Sequence, residues 1–299
     1  MQAGFFSTDI TPPIGAVRAG NYSRIFIMGV TGAMKVRAAV FEQDGYRVGI
    51  AGVDCCSIDR SLIKKALDHV LELEKIQFNE TIISASHTHT GAAASSFVDL
   101  DLVAKMDPKI AALTKDTAVP SEWYVDWVAR QLATALIMAS RRIEPARIST
   151  GIGEESGFTF NRRLFLKDGR AYSHPGKMNP DIVGPAGPTD PSVGVIGAWR
   201  EDGTLLGCLV NFSCHGTTYG SAGTHADWYH FVEETIQRIF GSETGVVVLN
   251  GPCGDVTQVD NQSTSVDFGA AVCRRLGRRV GAEAVKVLCG SPRHAFTKL

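Results

Sequence analysis

Thr81-Ile-Ile-Ser-Ala-Ser-His87-Thr-His89-Thr-Gly91-Ala-Ala-Ala94 is the stretch on which the reading of this 299-residue chain turns. A short run rich in β-branched residues leads directly into two histidines one residue apart, and small residues follow. In extended backbone, residues i and i+2 point to the same side. His87 and His89 are therefore expected to face whatever lies beyond the end of that strand. Two imidazoles on one side can bind a metal, or one can bind it while the other works on a substrate. Eight histidines in a chain of this length give roughly 0.2 chance His-x-His pairs, so the surrounding pattern has to supply the meaning.

Working outward from that strand, residues 4–10 read as a first strand stopped by Pro12-Pro13. Segments 33–43 and 47–54 flank Asp44-Gly45, a hairpin signal. The second of them is apolar throughout, which suits a central strand ending at Asp54. Residues 58–75 carry apolar positions at helical spacing behind a Ser57 or Asp59 cap. Downstream of the two histidines, residues 95–119 lack a period and are read as a long loop. A helix is expected over 121–142 and a strand over 146–152. A hairpin turning at Asp168-Gly169 and a proline-rich rigid loop over 174–192 come next. Strands over 193–200 and 204–213 flank Glu201-Asp-Gly203, and the second runs into Cys214-His215-Gly216. That repeats the opening pattern of a buried strand delivering a histidine. A helix follows over 224–240, then a buried strand over 245–249 that ends in Asn250-Gly-Pro-Cys-Gly254-Asp255-Val256-Thr257. A last helix covers 265–289. No internal repeat is visible in the sequence. The fold class expected is α/β, a layered sandwich of mixed β-sheets flanked by helices, with the active site at the C-terminal ends of strands.

Composition narrows the function. Hydrophobic residues make up 44% and charged residues 20%, with a net charge of −1, so neither nucleic acid nor an anionic membrane surface is an expected partner. No run of 18 apolar residues is present, and residues 1–13 lack a secretory leader pattern, so a cytoplasmic location is expected. Seven cysteines without a Cys-x-x-Cys pair suit buried free thiols better than a disulfide framework. A zinc–thiolate site is the lesser alternative. Arg274, Arg275, Arg278 and Arg279 are read as the solvated face of a helix. The chain lacks Gly-x-Ser-x-Gly, His-Glu-x-x-His and phosphate-loop motifs. His87, His89, His215, Asp255 and Arg162 would converge if the strand ends share one edge. Zinc bound by imidazole keeps a position for water and lowers its pKa to about 7, while a further histidine and an arginine can stabilise an oxyanion. That equipment suits a metal-assisted amide or ester hydrolase.

With those residues in place, the chain resembles the neutral/alkaline, non-lysosomal ceramidase family in its N-terminal catalytic domain. The matching pieces are Asp9-Ile-Thr-Pro-Pro13, Ser86-His87-Thr-His89-Thr-Gly91, Asn161-Arg162, Asn179-Pro180, Gly187-Pro-Thr-Asp-Pro191-Ser-Val193, His215, Ala226-Asp227-Trp228, and Asn250-Gly with Gly254-Asp255-Val256. The resemblance implies a single domain over 1–299, incomplete on its C-terminal side, and a zinc (Zn2+) amidase acting on a small-molecule N-acyl substrate such as ceramide. It implies His87 and His215 as metal ligands, and His89, Arg162, Asp255 and Thr257 on the catalytic side. Thr257 stands where the family has serine, and Gln258 where it has proline. No match is found for the family's glutamate and tyrosine zinc ligands, and Asp54, His225 and Asp227 are the local candidates to replace them. Two other readings stay open: a non-catalytic remnant that binds a ligand, and an esterase or deacetylase on the same scaffold. The residues give no oligomeric state.

Overall fold

A computed structural model describes residues 1–21, 23–96, 100–114 and 117–294. Its first half comprises strands β1 (Gln2–Asp9), β2 (Lys35–Gln43) and β3 (Tyr46–Val53), helix α1 (Arg60–Glu74), strand β4 (Glu80–Ala85) and helix α2 (Glu122–Arg141). The second half comprises β5 (Arg147–Glu154), β6 (Ser192–Trp199), β7 (Leu205–Phe212), α3 (Trp228–Phe240), β8 (Gly245–Asn250) and α4 (Ala270–Gly290). The first sheet has the order β4-β3-β2-β1, with Glu144–Pro145 beyond β1, and the second has the order β8-β7-β6-β5. In each sheet the three earliest strands are antiparallel, and a helical crossover lays the fourth parallel to the third. The two halves therefore share one topology, a repeat that the sequence does not display.

Strand periodicity explains the layering. In β2, Val36, Ala38 and Val40 pack toward α1 and α2, in a core that includes Leu62, Ala66, Leu132 and Leu136. The alternate residues Ala39 and Phe41 turn the other way and join Phe5, Leu209 and Val247 between the sheets. On the far side, Cys208, Val210 and Phe212 of β7 meet Trp228, Val232, Leu276 and Val280 from α3 and α4. Period two thus assigns one face of each strand to helices and the other to the opposing sheet. The result is the expected layered α/β sandwich of sheets flanked by helices.

Local signals act where the sequence places them. Asp44 and Gly45 adopt φ of 52° and 81° at the β2–β3 turn, the left-handed pair that a tight hairpin requires. Asp59 caps α1 by accepting from the Leu62 N–H at 2.8 Å. Three expectations need correction. Residues 95–119 contain two short helices, Leu100–Val103 and Pro108–Thr114, and residues 97–99 and 115–116 of that span lie outside the described residues. Within 174–192, Ile182–Pro185 pairs with Arg163–Leu166 as a strand, because its proline stands at the end of the ladder. The last helix starts at Ala270 rather than 265, after Gly269 at φ 108°. The four arginines of that helix are exposed, the solvated face expected of them. Arg275 and Arg279 lie over the Phe158 ring, and Arg279 pairs with Glu155.

One cluster of buried charge ties the halves together. Arg37 of β2 donates to Glu233 of α3 from Nε at 3.0 Å and from Nη2 at 2.8 Å, and to Asp54 from Nη1 at 2.8 Å. Burial alone would raise the Glu233 carboxyl, but the Arg37 and Lys35 charges overcome it and hold it at about 2. For Asp54, burial outweighs Arg37 and shifts the carboxyl upward.

Candidate metal centre

Each sheet has one parallel strand pair, and their C-terminal ends face a common space. His87 lies two residues beyond β4, and Cys56 three beyond β3; His215 lies three beyond β7, and Cys253 three beyond β8. The two sets of loops are stitched together by a bridge between Thr88 and Gly216, in which the His89 N–H donates to the Gly216 carbonyl at 2.9 Å. A Cβ on Gly216 would stand 2.5 Å from the His87 carbonyl oxygen, so only glycine permits this approach. Thr88 and Thr90 donate their hydroxyls to the His225 carbonyl at 2.9 and 2.8 Å, which fixes the strand extension from its far side. His87 itself adopts φ 61°, a strained conformation for a residue with a Cβ, of the kind that clusters at functional sites.

Hydrogen bonding sets the protons on the rings. His87 Nδ1 lies 2.7 Å from the Cys56 carbonyl oxygen, and His215 Nδ1 lies 2.9 Å from that of Cys253. A carbonyl can only accept, so both Nδ1 atoms carry the proton and both neutral rings present a bare Nε2. Those two Nε2 atoms are 3.0 Å apart. Two lone pairs at that separation repel unless a cation stands between them. Burial above all brings the His215 imidazole down to about 4, so the His215 ring carries no second proton at neutral pH. Zinc–imidazole bonds of about 2.0–2.1 Å at a tetrahedral angle place ligand nitrogens about 3.3 Å apart. The donor pair fits a metal.

His89 stands beside this pair, its Nε2 3.4 Å from that of His87. Its ring donates to the Gly20 backbone, and burial together with His87 and His215 lowers it to about 3. Gly20 has φ 77°, and a Cβ there would come within 2.4 Å of His89 Nδ1. Arg18 holds the His89 carbonyl from Nε at 2.6 Å. Both Arg18 and Gly20 escape a sequence reading, because nothing local to residues 18–20 points to a histidine some seventy positions away.

Arg162 is held by a two-residue ladder in which Phe160–Asn161 pairs with Val256–Thr257. Its backbone N–H donates to the Asp255 carbonyl at 2.7 Å, and Asn161 Nδ2 donates to the Asp255 carboxylate at 2.9 Å. Arg162 Nε is buried and has no hydrogen-bond partner among the described residues. Thr257 is 2% exposed, and its hydroxyl accepts from the Val259 N–H at 3.2 Å. Its visible contribution is therefore the strand pairing beneath Arg162.

Among the described residues, none of the three local candidates for further ligands joins a ligand-sized cluster with His87 or His215. Asp54 is bound to Arg37 and to the Lys35 N–H. Asp227 caps α3, accepting from the Trp228 and Tyr219 N–H groups at 2.9 Å and from the Thr218 hydroxyl. His225 Nδ1 accepts from the Asp227 N–H, and its ring is stacked on Tyr219. Two cysteines reach the centre instead. Cys253 shares a ligand-sized cluster with His87 and His215, and Cys56 shares one with His87 and His89. All seven cysteines are free.

No family model matches the chain. A curated protein, neutral ceramidase from Pseudomonas aeruginosa, is 25% identical over 228 residues, which cover 73% of this chain and 30% of that protein. The chain resembles neutral ceramidase. A crystal structure of neutral ceramidase from Pseudomonas aeruginosa superposes with a TM-score of 0.75 at 21% identity, covering 97% of this chain and 45% of that one. A structure of ceramidase complexed with C2 matches with the same TM-score over 44% of its chain. The sandwich is thus the ceramidase fold, and the chain spans under half the length of these relatives. No described helix is long and apolar enough to cross a membrane.

Proposed function

We propose that this chain carries the metal-binding half-site of an amide hydrolase that cleaves an N-acyl bond in a small molecule, ceramide or a shorter N-acyl amide. The observation that carries the reading is the pair of bare Nε2 atoms, His87 and His215, 3.0 Å apart. The likeness to neutral ceramidase supplies the reaction class. His87 and His215 would hold a zinc ion, their Nδ1–H groups tied to backbone carbonyls so that the rings neither flip nor change tautomer. When bound, the ion supplies an activated water near neutral pH and polarises the substrate carbonyl.

The chain's own groups do the rest. His89, half-buried and held neutral, would exchange a proton with the attacking water or the leaving amine. Arg162 brings a positive charge close enough to act on His215 and Cys253 and keeps a buried Nε–H without a partner among the described residues, which would suit the oxygen that becomes negative as the carbonyl is attacked. Asp255 acts through others: it anchors Asn161 and the Arg162 backbone. Thr257 pairs with Phe160 in the same short ladder, two residues before Arg162.

The direct test is metal content followed by turnover. Purified chain is expected to bind close to one zinc per molecule and to hydrolyse at least one member of a panel of ceramides, short N-acyl amides and esters. His87→Ala should lose both. Ester turnover without amide turnover would select the esterase reading. A chain that never retains metal would leave the ligand-binding reading in its place.

A further inference from the structure

Two histidines alone rarely hold a catalytic metal, and catalytic zinc sites generally carry three protein ligands. We propose that Cys253 Sγ is the third ligand, giving a His87, His215, Cys253 centre. The inference rests on the metal-binding reading above and adds a donor atom to it. One nitrogen from each histidine and the Cys253 sulfur lie within 4.8 Å of one another. Zinc bonds of about 2.3 Å to sulfur and about 2.0–2.1 Å to nitrogen would put sulfur and nitrogen about 3.6 Å apart at a tetrahedral angle, inside the 4.8 Å span of the cluster.

The sulfur is held in place by a side-chain donor. Asn250 Nδ2 points an N–H at Cys253 Sγ from 3.0 Å. Asn250 is itself fixed, donating to the Ser86 carbonyl at 3.2 Å and accepting from the Cys214 N–H at 3.3 Å. Burial pushes the Cys253 thiol up and the Asn250 N–H works against that rise; a coordinating cation would supply the rest of the deprotonation. The same residue's carbonyl takes the His215 Nδ1 proton. Cys253 therefore orients one ligand and supplies another. It stands in the Gly-Pro-Cys-Gly turn after β8, where backbone comes close to the centre.

Cys56 is the competing sulfur, and its geometry is poorer. It lies 3.8 Å from His87 Nδ1, the nitrogen already committed to a carbonyl, rather than on the Nε2 side. Among the described residues, no amide hydrogen is seen on its sulfur. The softer donor set also predicts a preference for zinc over magnesium or calcium, which favour oxygen.

X-ray absorption at the zinc edge of the full chain reads the ligands without reference to activity. The expected spectrum has one sulfur scatterer at about 2.3 Å besides nitrogen shells at about 2.0–2.1 Å. Cys253→Ser should remove the sulfur shell and weaken zinc binding at least about tenfold, while Cys56→Ser leaves both unchanged. A thiolate charge-transfer band on cobalt substitution should follow the same pattern. Zinc bound through nitrogen and oxygen only would overturn this assignment and leave the proposed function standing. A sulfur shell that survives Cys253→Ser, or vanishes in Cys56→Ser, would also overturn it. Should Cys253→Ser fail to fold, the wild-type spectrum and Cys56→Ser still decide the matter. Absence of any bound metal would remove both readings together.

Discussion

Replacing Arg37 with methionine tests how the two halves are held. The guanidinium is 4% exposed and serves two buried carboxylates, Glu233 and Asp54. Methionine fills similar volume but leaves both acids without that partner. Breaking a buried pair on one side costs about 3–5 kcal/mol. Two features pull the value toward the lower end. Glu233 keeps Lys35 at 3.1 Å, and a cavity of about 150 Å³ bordered by Arg37, Glu233 and Gln237 can admit water. Asp54 keeps only the Lys35 N–H at 2.7 Å and should take up a proton. The expected loss is about 3 kcal/mol at pH 7, a fall in Tm of roughly 6–12 °C. The sign with pH follows from Asp54. In the variant its folded pKa lies above the unfolded value, so the penalty is full above the folded pKa and fades as pH falls toward the unfolded one. The gap between Arg37→Met and wild type, followed by urea denaturation, should therefore narrow from pH 7 to pH 5. Adding Asp54→Asn and Glu233→Gln should recover much of the loss. A deficit under about 1 kcal/mol that does not vary with pH would refute the account.

Four further outcomes are expected. Gly20→Ala forces a Cβ at φ 77° into the His89 ring; hydrolysis should fall by about tenfold or more while zinc content measured by mass spectrometry stays at wild type. Wild-type stability should drop between about pH 4.5 and pH 2 in acid titration by circular dichroism. Glu233 has a folded pKa of about 2, below its ordinary 4.5, so its contribution is complete above that window and lost as the acid protonates. Asp59→Ala removes the α1 cap and should cost about 1 kcal/mol in urea without changing metal affinity. Asp255→Ala frees Asn161, costing about 1 kcal/mol of stability; if Asp255 serves to place Arg162, kcat should fall more than KM rises.

Much of the fold was legible because alternation and turn chemistry act locally. Asp44-Gly45, the Asp59 cap and the apolar strand before His87 each declare themselves within ten residues. The strand end that delivers His215 was readable for the same reason. What escaped depends on partners far along the chain. Cys56 and Cys253 carry no shared motif, and they meet only because β3 with β4 and β7 with β8 end at the same edge. Asp227 and His225 stand close to His215 in sequence, but Asp227 caps α3, His225 Nδ1 accepts from a backbone N–H, and neither joins the cluster around His87 and His215, which sequence spacing does not reveal. Ile182–Pro185 was hidden by its prolines and glycines, since a strand formed by pairing at an edge needs little propensity of its own.

The shared topology of the two halves has a consequence for how the centre behaves as a sensor of folding. His87 and Cys56 belong to one half, His215 and Cys253 to the other. The proposed His87, His215 and Cys253 set draws on both halves, so affinity at that set exists only while the sheets are docked. By mass action, free metal at a thousand times its dissociation constant would add about 4 kcal/mol against any opening that separates them. Zinc would then act as a reversible cross-link. Slippage between the layers would register as metal release well before either half lost its own strands and helices.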